Sequence, residues 1–189
     1  RFQSTSMAIK HAQVPVVAAV QGRALGGGCE FAMHAAHRVL ALESYMGLVE
    51  AGVGLIPAGG GSKEFALQAH AMAQRAAGGD VFPYIQNAFQ TIAMATVSKS
   101  ALEAVQLGFA CAADDIVFNP NELLYVAIRR ARAMAESAWR PPLPSPQVTV
   151  AGRNGIATCE MMLVNMAEGG FISAHDYRVA KAAATALCG

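Results

Sequence analysis

The chain is poor in charge. Asp, Glu, Lys and Arg make up only 14% of its 189 residues, and 14 basic residues against 13 acidic ones leave a net charge of +1. Nothing in that balance suggests a general affinity for nucleic acid, although a few basic side chains remain for a phosphorylated ligand. No apolar run reaches the length of a membrane-spanning helix, because Gly, Pro, His or a charge interrupts each one, so a positive mean hydropathy of +0.34 does not imply insertion. The four cysteines, Cys29, Cys111, Cys159 and Cys188, form no Cys-x-x-Cys pair. That spacing argues against a zinc site and against a disulfide framework, and it favours a reducing, cytoplasmic setting. The chain starts at Arg1 with no charged-then-apolar signal segment, which reads as a piece cut from a longer protein. No internal repeat is visible.

Small apolar residues are what the chain has in quantity. With 54% hydrophobic residues and so little charge, extensive burial, close helix packing and self-association are expected. Phe2 to Gln13 reads as the end of a helix leading into Val14–Val20, a Val-rich run bounded by Gln21-Gly22 and expected to be a strand covered on both faces. Ala24-Leu25-Gly26-Gly27-Gly28-Cys29-Glu30 follows, and Glu30 to Ala36 is helix-forming. The three glycines therefore mark a strand-to-helix junction. There the first N–H groups of the helix lack intrahelical acceptors and carry the positive end of its dipole, a setting for an anion or a carbonyl oxygen. Arg38–Leu42 is a second strand, Tyr45–Leu48 a small extended piece, and strand–helix–strand order predicts a right-handed crossover in a parallel sheet. The front of the chain is α/β.

Beyond it, residues 51–62 are too rich in glycine for a regular element. Ser62 is placed to cap a helix over Lys63–Ala77, with Phe65, Ala69 and Met72 on one face. Gly78-Gly79-Asp80 and Pro83 break the chain, Tyr84–Ala95 and Ser100–Leu107 read as helices, Gly108 closes the second, and Ala110–Val117 reads as extended. A long helix is predicted over Asn121–Ala138, with Leu124, Ile128, Ala131 and Ala135 on one side and Arg129, Arg130 and Arg132 nearby on a solvated face. A Pro-rich strap over 140–146 cannot continue helix or sheet. It is followed by a Met-rich helix over Ile156–Glu168 and a last helix to about Leu187, capped by Ser173 with Asp176 in its first turn.

Two carboxylates stand out. Glu30 opens the helix after the glycines, and Glu50 precedes the second glycine-rich loop. Either alone reads as an ordinary helix-dipole partner. Together, facing one cleft beside the Gly27 amide, they would suit proton transfer next to a carbonyl, the amide stabilising an enolate oxygen while the carboxylates move protons or orient water. The glycines do not form a nucleotide site: the G-x-G-x-x-G spacing fails, and in Gly59-Gly60-Gly61-Ser62-Lys63 the Ser and Lys are in the wrong order for a phosphate loop. His34 and His37 lack partners at ligand spacing and read as surface or core histidines, and no metal is expected. Met161, Met162 and Met166 read as core or subunit contact.

Residues 14–32, with Met46-Gly47-Leu48-Val49-Glu50, Gly54–Gly61 and more weakly Leu107-Gly108-Phe109, closely resemble the signature of the enoyl-CoA hydratase/isomerase, or crotonase, family. The stretch from the Pro-rich strap to Asp176 looks like the crotonase-type module at the C-terminus of some fused 3-hydroxyacyl-CoA dehydrogenases. The resemblance implies the C-terminal portion of a crotonase-like ββα spiral over 1–138, followed by a strap and C-terminal helices over 139–189. It implies that Gly27 supplies one N–H of an oxyanion hole for a thioester carbonyl, that Glu30 and Glu50 are the two catalytic glutamates of a hydratase, and that Leu25, Gly26, Gly28 and Pro57 line the substrate site. In the family, the second oxyanion donor and much of the coenzyme A surface lie upstream of this signature. The implied substrate is an acyl-CoA thioester. No cofactor belongs to this segment, NAD enters only through a fused dehydrogenase, and a trimer-type homo-oligomer is implied. Two other readings stay open: a Δ3,Δ2-enoyl-CoA isomerase, and a non-catalytic module that docks a dehydrogenase through its Ala- and Met-rich helices. His37 replaces a usual acidic residue, and Lys63-Glu64 a usual polar-basic pair.

Overall fold

In a computed structural model of the chain, residues 1–76, 79–144 and 147–189 are described; Ala77, Gly78, Ser145 and Pro146, which bear on the predicted helix end, break and strap, lie outside them. The elements group into two compact units, Arg1–Gly47 with Val97–Ser145, and Leu48–Thr96 with Pro146–Gly189. These units interleave along the chain, whereas the division at 138/139 was sequential and concerned family boundaries, which contacts do not decide.

The first unit holds helix α1 (Phe2–Lys10), strand β1 (Val17–Leu25), helix α2 (Gly27–His34) and strand β2 (His37–Gly47). The two strands pair in parallel, from Val17 opposite His37 to Leu25 opposite Gly47, so the expected crossover is present. β1 starts later than expected and runs through Gln21 and Gly22, because a register shift between Val20 and Gly22 absorbs the glycine, whose φ is +67°. Nor is β1 covered on both faces. Ala19, Gln21 and Arg23, alternate residues on one face of the strand, are exposed, and among the described residues β1 pairs with β2 alone in the order β1-β2-β3. The doubly covered strand is β2, in which Val39, Leu40 and Met46 are fully buried. The predicted extended piece after Leu42 is its continuation: Ala24 pairs with Met46, the Met46 N–H donates to Ser98 Oγ (2.9 Å), and the Ser98 N–H donates to the Met46 carbonyl (2.8 Å).

The later elements of this unit are a helix over Ala101–Gln106 that packs on β2, strand β3 (Asp115–Val117) parallel to β2, and a helix over Leu123–Glu136 that covers β1 and β2. Ser100 caps the former by accepting the Glu103 N–H, and Gly108 follows at φ +84°. The long helix does not bury the side on which Leu124 and Ile128 lie. Leu123 and Ala127 pack with Val39, Ala41 and Val117, whereas Leu124 and Ile128 are exposed, as is Ala135. Two apolar stripes compete on this helix, and the small Ala127 lets it approach the sheet closely. Arg130, expected in solvent, forms a bidentate pair with Asp115 (2.8 and 2.7 Å).

The second unit is helical. After a 3-10 turn over Glu50–Val53 come α3 (Gly61–Arg75) and α4 (Phe82–Ala93). In chain order the Ala101–Gln106 helix is α5 and the Leu123–Glu136 helix α6, and the second unit closes with α7 (Gly152–Glu168) and α8 (Ala174–Cys188). Ser62 does not cap α3: Gly60 holds that position at φ +122°, and the Ser62 hydroxyl donates to the Pro57 carbonyl (3.1 Å). The buried line of α3 is Phe65, Ala66, Ala69 and Ala73, with Met72 outside it at 44% exposure. Pro83 sits in the first turn of α4 instead of breaking the chain, a place where its missing N–H is no loss. α8 begins as expected, with Ser173 and Asp176 in a reciprocal capping box. Alanines 180, 183 and 184 and Leu187 of α8 form its buried face, and α8 packs against α3, α4 and α7. Met161 is 60% exposed and so is not core.

Candidate active site at the β1–α2 junction

The junction is made by one unusual backbone position. Gly26 has φ +54° and ψ −126°, a combination that side-chain-bearing residues avoid, and it turns the chain from β1 into α2. Its N–H donates to the Gly47 carbonyl (2.8 Å), so the turn is clamped to the end of β2, and its carbonyl accepts the Glu30 N–H (3.0 Å), which starts the helix. The N–H groups of Gly27 and Gly28 follow at the positive end of α2 with no acceptor inside the helix. Gly28 is exposed, and a Cβ there would meet no atom within 4 Å. A groove of about 390 Å³ passes Gly28 and Phe31 and continues along the uncovered side of β1 by Ala18, Gln21 and Arg23.

Glu30 lies in the first turn of the same helix with 1% of its surface exposed. Its carbonyl accepts from His34 Nδ1 (2.7 Å), so His34 closes the far end of α2 and is a core histidine. Thus Leu25, Gly26, Gly27, Gly28 and Glu30 lie within six consecutive residues at the strand end and helix start. Glu50 and Pro57 belong to the second unit. Glu50 opens the 3-10 turn and is half-buried; Gly54 ends that turn at φ +77°, and its carbonyl lies 3.3 Å from His175 Nε2. Pro57 is buried, and its carbonyl takes the Ser62 hydroxyl, so it serves the loop's framework.

At the far end of α2 is a charged support that no motif in the sequence marks. Arg38 is buried, its guanidinium reaching the carbonyls of Ala32, Met33 and Ala35 at the end of α2 (3.2, 3.3 and 3.5 Å) while Nε pairs with Asp114. Burial alone would raise the Asp114 carboxyl, but the Arg38 guanidinium and the N–H groups of Cys111 and Arg38 hold it below the usual range. His37 is not on the helix with His34. It opens β2, with Nε2 3.0 Å from Asp115. Arg130 beside it, opposed by some desolvation and aided by His37, lowers the Asp115 carboxyl. Among the described residues no group of three His, Cys, Asp or Glu side chains is placed to hold a metal, and no helix is long and apolar enough to cross a membrane.

Residues 1–80, which contain the whole junction, match the family described as enoyl-CoA hydratase/isomerase. Over this segment the chain is similar to that family. Along all 189 residues it is 42% identical to the probable 3-hydroxyacyl-CoA dehydrogenase of Bacillus subtilis, of which it covers 23%. It is 30% identical over 166 residues, 84% of its length, to the fatty acid oxidation complex subunit alpha of Shewanella loihica, of which it covers 20%. The enoyl-CoA hydratase of Bacillus anthracis superposes on 98% of this chain and 58% of its own, with a TM-score of 0.53 at 23% identity, which is a likeness of fold. The fold is therefore α/β of crotonase type with a helical C-terminal region. The chain spans less than a quarter of the two curated relatives.

Proposed function

We propose that this crotonase-type chain belongs to an enoyl-CoA hydratase that adds water syn across the double bond of a 2-enoyl-CoA in fatty acid β-oxidation, within a larger protein that also carries a 3-hydroxyacyl-CoA dehydrogenase. The observation that carries this reading is the junction itself: helix-start amides on Gly27 and Gly28 and a buried Glu30 one turn along, held by the Gly26–Gly47 clamp.

The chemistry needs a donor where charge develops and two groups that move protons. The thioester carbonyl oxygen accepts the Gly27 N–H, and as water attacks C3 the charge that collects on that oxygen meets a dipole already in place. One such donor is worth about 3–4 kcal/mol in related oxyanion sites. Of the two carboxylates, Glu30 and Glu50, one takes a proton from water as its oxygen bonds to C3 and the other delivers a proton to C2, so the elements of water are added and none is left over. In this reading Leu25, Gly26, Gly28 and Pro57 shape the substrate's surroundings, the ligand is an acyl-CoA thioester, NAD serves only the dehydrogenase part, and the protein is a cytoplasmic, trimer-type homo-oligomer.

The test is hydration of crotonyl-CoA by the full-length protein beside its Glu30→Gln and Glu50→Gln variants. Each variant should lose about 10²–10⁴-fold in kcat, as removal of a proton-transfer group does. Undiminished turnover in both would remove the mechanism, and conversion of a 3-enoyl-CoA without hydration would make the protein an isomerase.

A further inference from the structure

The Cα of Gly27 faces the side chain of Phe2. A Cβ built on Gly27 would lie 2.6 Å from Cζ of Phe2 and 3.3 and 3.5 Å from its two Cε atoms, so the ring points its tip at this glycine. Phe2 stands in the first turn of α1, which packs on α2, and its ring meets that of Phe31 with centroids 4.7 Å apart and planes inclined at 46°. Phe2 is 41% exposed. Next along the helix, the Cβ position of Gly28 is empty to 4 Å. A side chain at 27 would have to displace the tip of this ring, which lies next to the residue whose amide is assigned to the substrate carbonyl.

The geometry points to Phe2 as a specificity-determining residue that limits branching of the acyl group at C2 and C3, an assignment that rests on the role proposed for Gly27. A carbonyl oxygen hydrogen-bonded to the Gly27 N–H sits about 2.9 Å from the nitrogen. The carbonyl carbon and the two carbons after it then lie within the reach of the ring tip, whereas the far end of a long chain does not. An added methyl on those carbons competes with Phe2 for space; chain length does not. Pocket discrimination of one methyl group is ordinarily about 10–200-fold. Phe31, tilted against the same ring, holds it in this direction and is a positioning residue.

The experiment is binding of two non-reacting ligands, butyryl-CoA and isobutyryl-CoA, to the full-length protein and to its Phe2→Ala and Phe2→Trp variants, by calorimetry. The wild-type protein should prefer butyryl-CoA, Phe2→Ala should shift the ratio of the two Kd values about tenfold toward the branched ligand, and Phe2→Trp should move it the other way. A loss of packing alone would weaken both ligands together and leave the ratio where it was, and that result, or a ratio unmoved in both variants, overturns the assignment. Hydration of crotonyl-CoA is measured on the same samples. If turnover is missing while the ratio moves, the hydratase reading falls and Phe2 keeps its role; if no acyl-CoA binds the wild-type protein, both fall.

Discussion

Arg38 and Asp114 form a buried pair that ties the end of α2 to the segment leading into β3. The Asp114 carboxylate takes the Arg38 backbone N–H (2.9 Å), its side-chain Nε, and the Cys111 N–H (2.8 Å), while the same guanidinium caps three carbonyls of α2. Taking away one partner leaves the other charge in a site where the Asp114 side chain has no exposed surface. Asp114→Ala should therefore destabilise the protein by about 3–5 kcal/mol, read by urea denaturation. Arg38→Ala should cost a similar amount, and the double variant should cost less than the two together because neither charge is stranded.

The same pair sets an acid limit. Although burial opposes it, Arg38 lowers the Asp114 carboxyl below its ordinary value, and Arg130 does the same for Asp115. A carboxyl lowered on folding binds protons more weakly in the folded state. Its contribution is complete above the unfolded value, about pH 4, and disappears as pH falls through the folded one. Unfolding free energy should thus be insensitive to these groups from pH 7 to about 5 and should drop below about 4. In Asp114→Asn the acid drop should be shallower, starting from a lower plateau. An unchanged slope would mean that the carboxylate is not ionised in the folded protein.

What could be read in advance was local. The Val-rich run, the three glycines and the helix formers after them are signals within a few residues, and they located β1, α2 and the Gly26 turn between them; Ser173 and Asp176 marked the start of α8 in the same way. What could not be read was chosen by distant parts of the chain. On α6 the stripe of Leu123 and Ala127 and the stripe of Leu124 and Ile128 are equally apolar in sequence, and the sheet selects the first. Ser62 has the right residue type and position for a cap, yet its hydroxyl is taken by Pro57. Val14–Val20 reads as a strand covered on both faces, but Ala19, Gln21 and Arg23 lie exposed on one face of β1. Phe2 carried no signal, because only the packing of α1 on α2 brings it to Gly27.

The adjacent glycines at the junction should respond differently to alanine. Gly26 occupies a backbone region closed to alanine, so Gly26→Ala should cost about 1–3 kcal/mol and loosen the start of α2. Gly27→Ala places a methyl against the Phe2 ring and should be tolerated only if that ring swings aside, which Phe2→Ala would make unnecessary. Gly28→Ala meets nothing and replaces glycine within a helix, so it should be neutral or stabilising by up to about 1 kcal/mol. Thermal denaturation of the three variants gives the order. A Gly26→Ala protein as stable as Gly28→Ala would contradict the conformation of the turn.

The cysteines differ in the same testable way. Cys159 of α7 and Cys188 of α8 have no exposed surface and lie against each other, Gly155 leaving room beside Cys188, whereas Cys111 is exposed. Burial first, and the neighbouring Cys188 second, push the Cys159 thiol up to about 11. Thiolate is the reactive form, so at pH 8 a maleimide should modify Cys111 in the folded protein and reach Cys159 and Cys188 only after denaturant is added. A thiol raised on folding also favours the folded state below its unfolded value near 9 and loses that contribution as pH rises toward 11. Stability should consequently fall between about pH 9 and 11, and less so in Cys159→Ala, where the smaller side chain lowers the starting stability but removes the titrating thiol. Mass spectrometry of the labelled peptides settles the order of reaction, and rapid modification of Cys159 in the folded protein would show that α7 and α8 open at that seam.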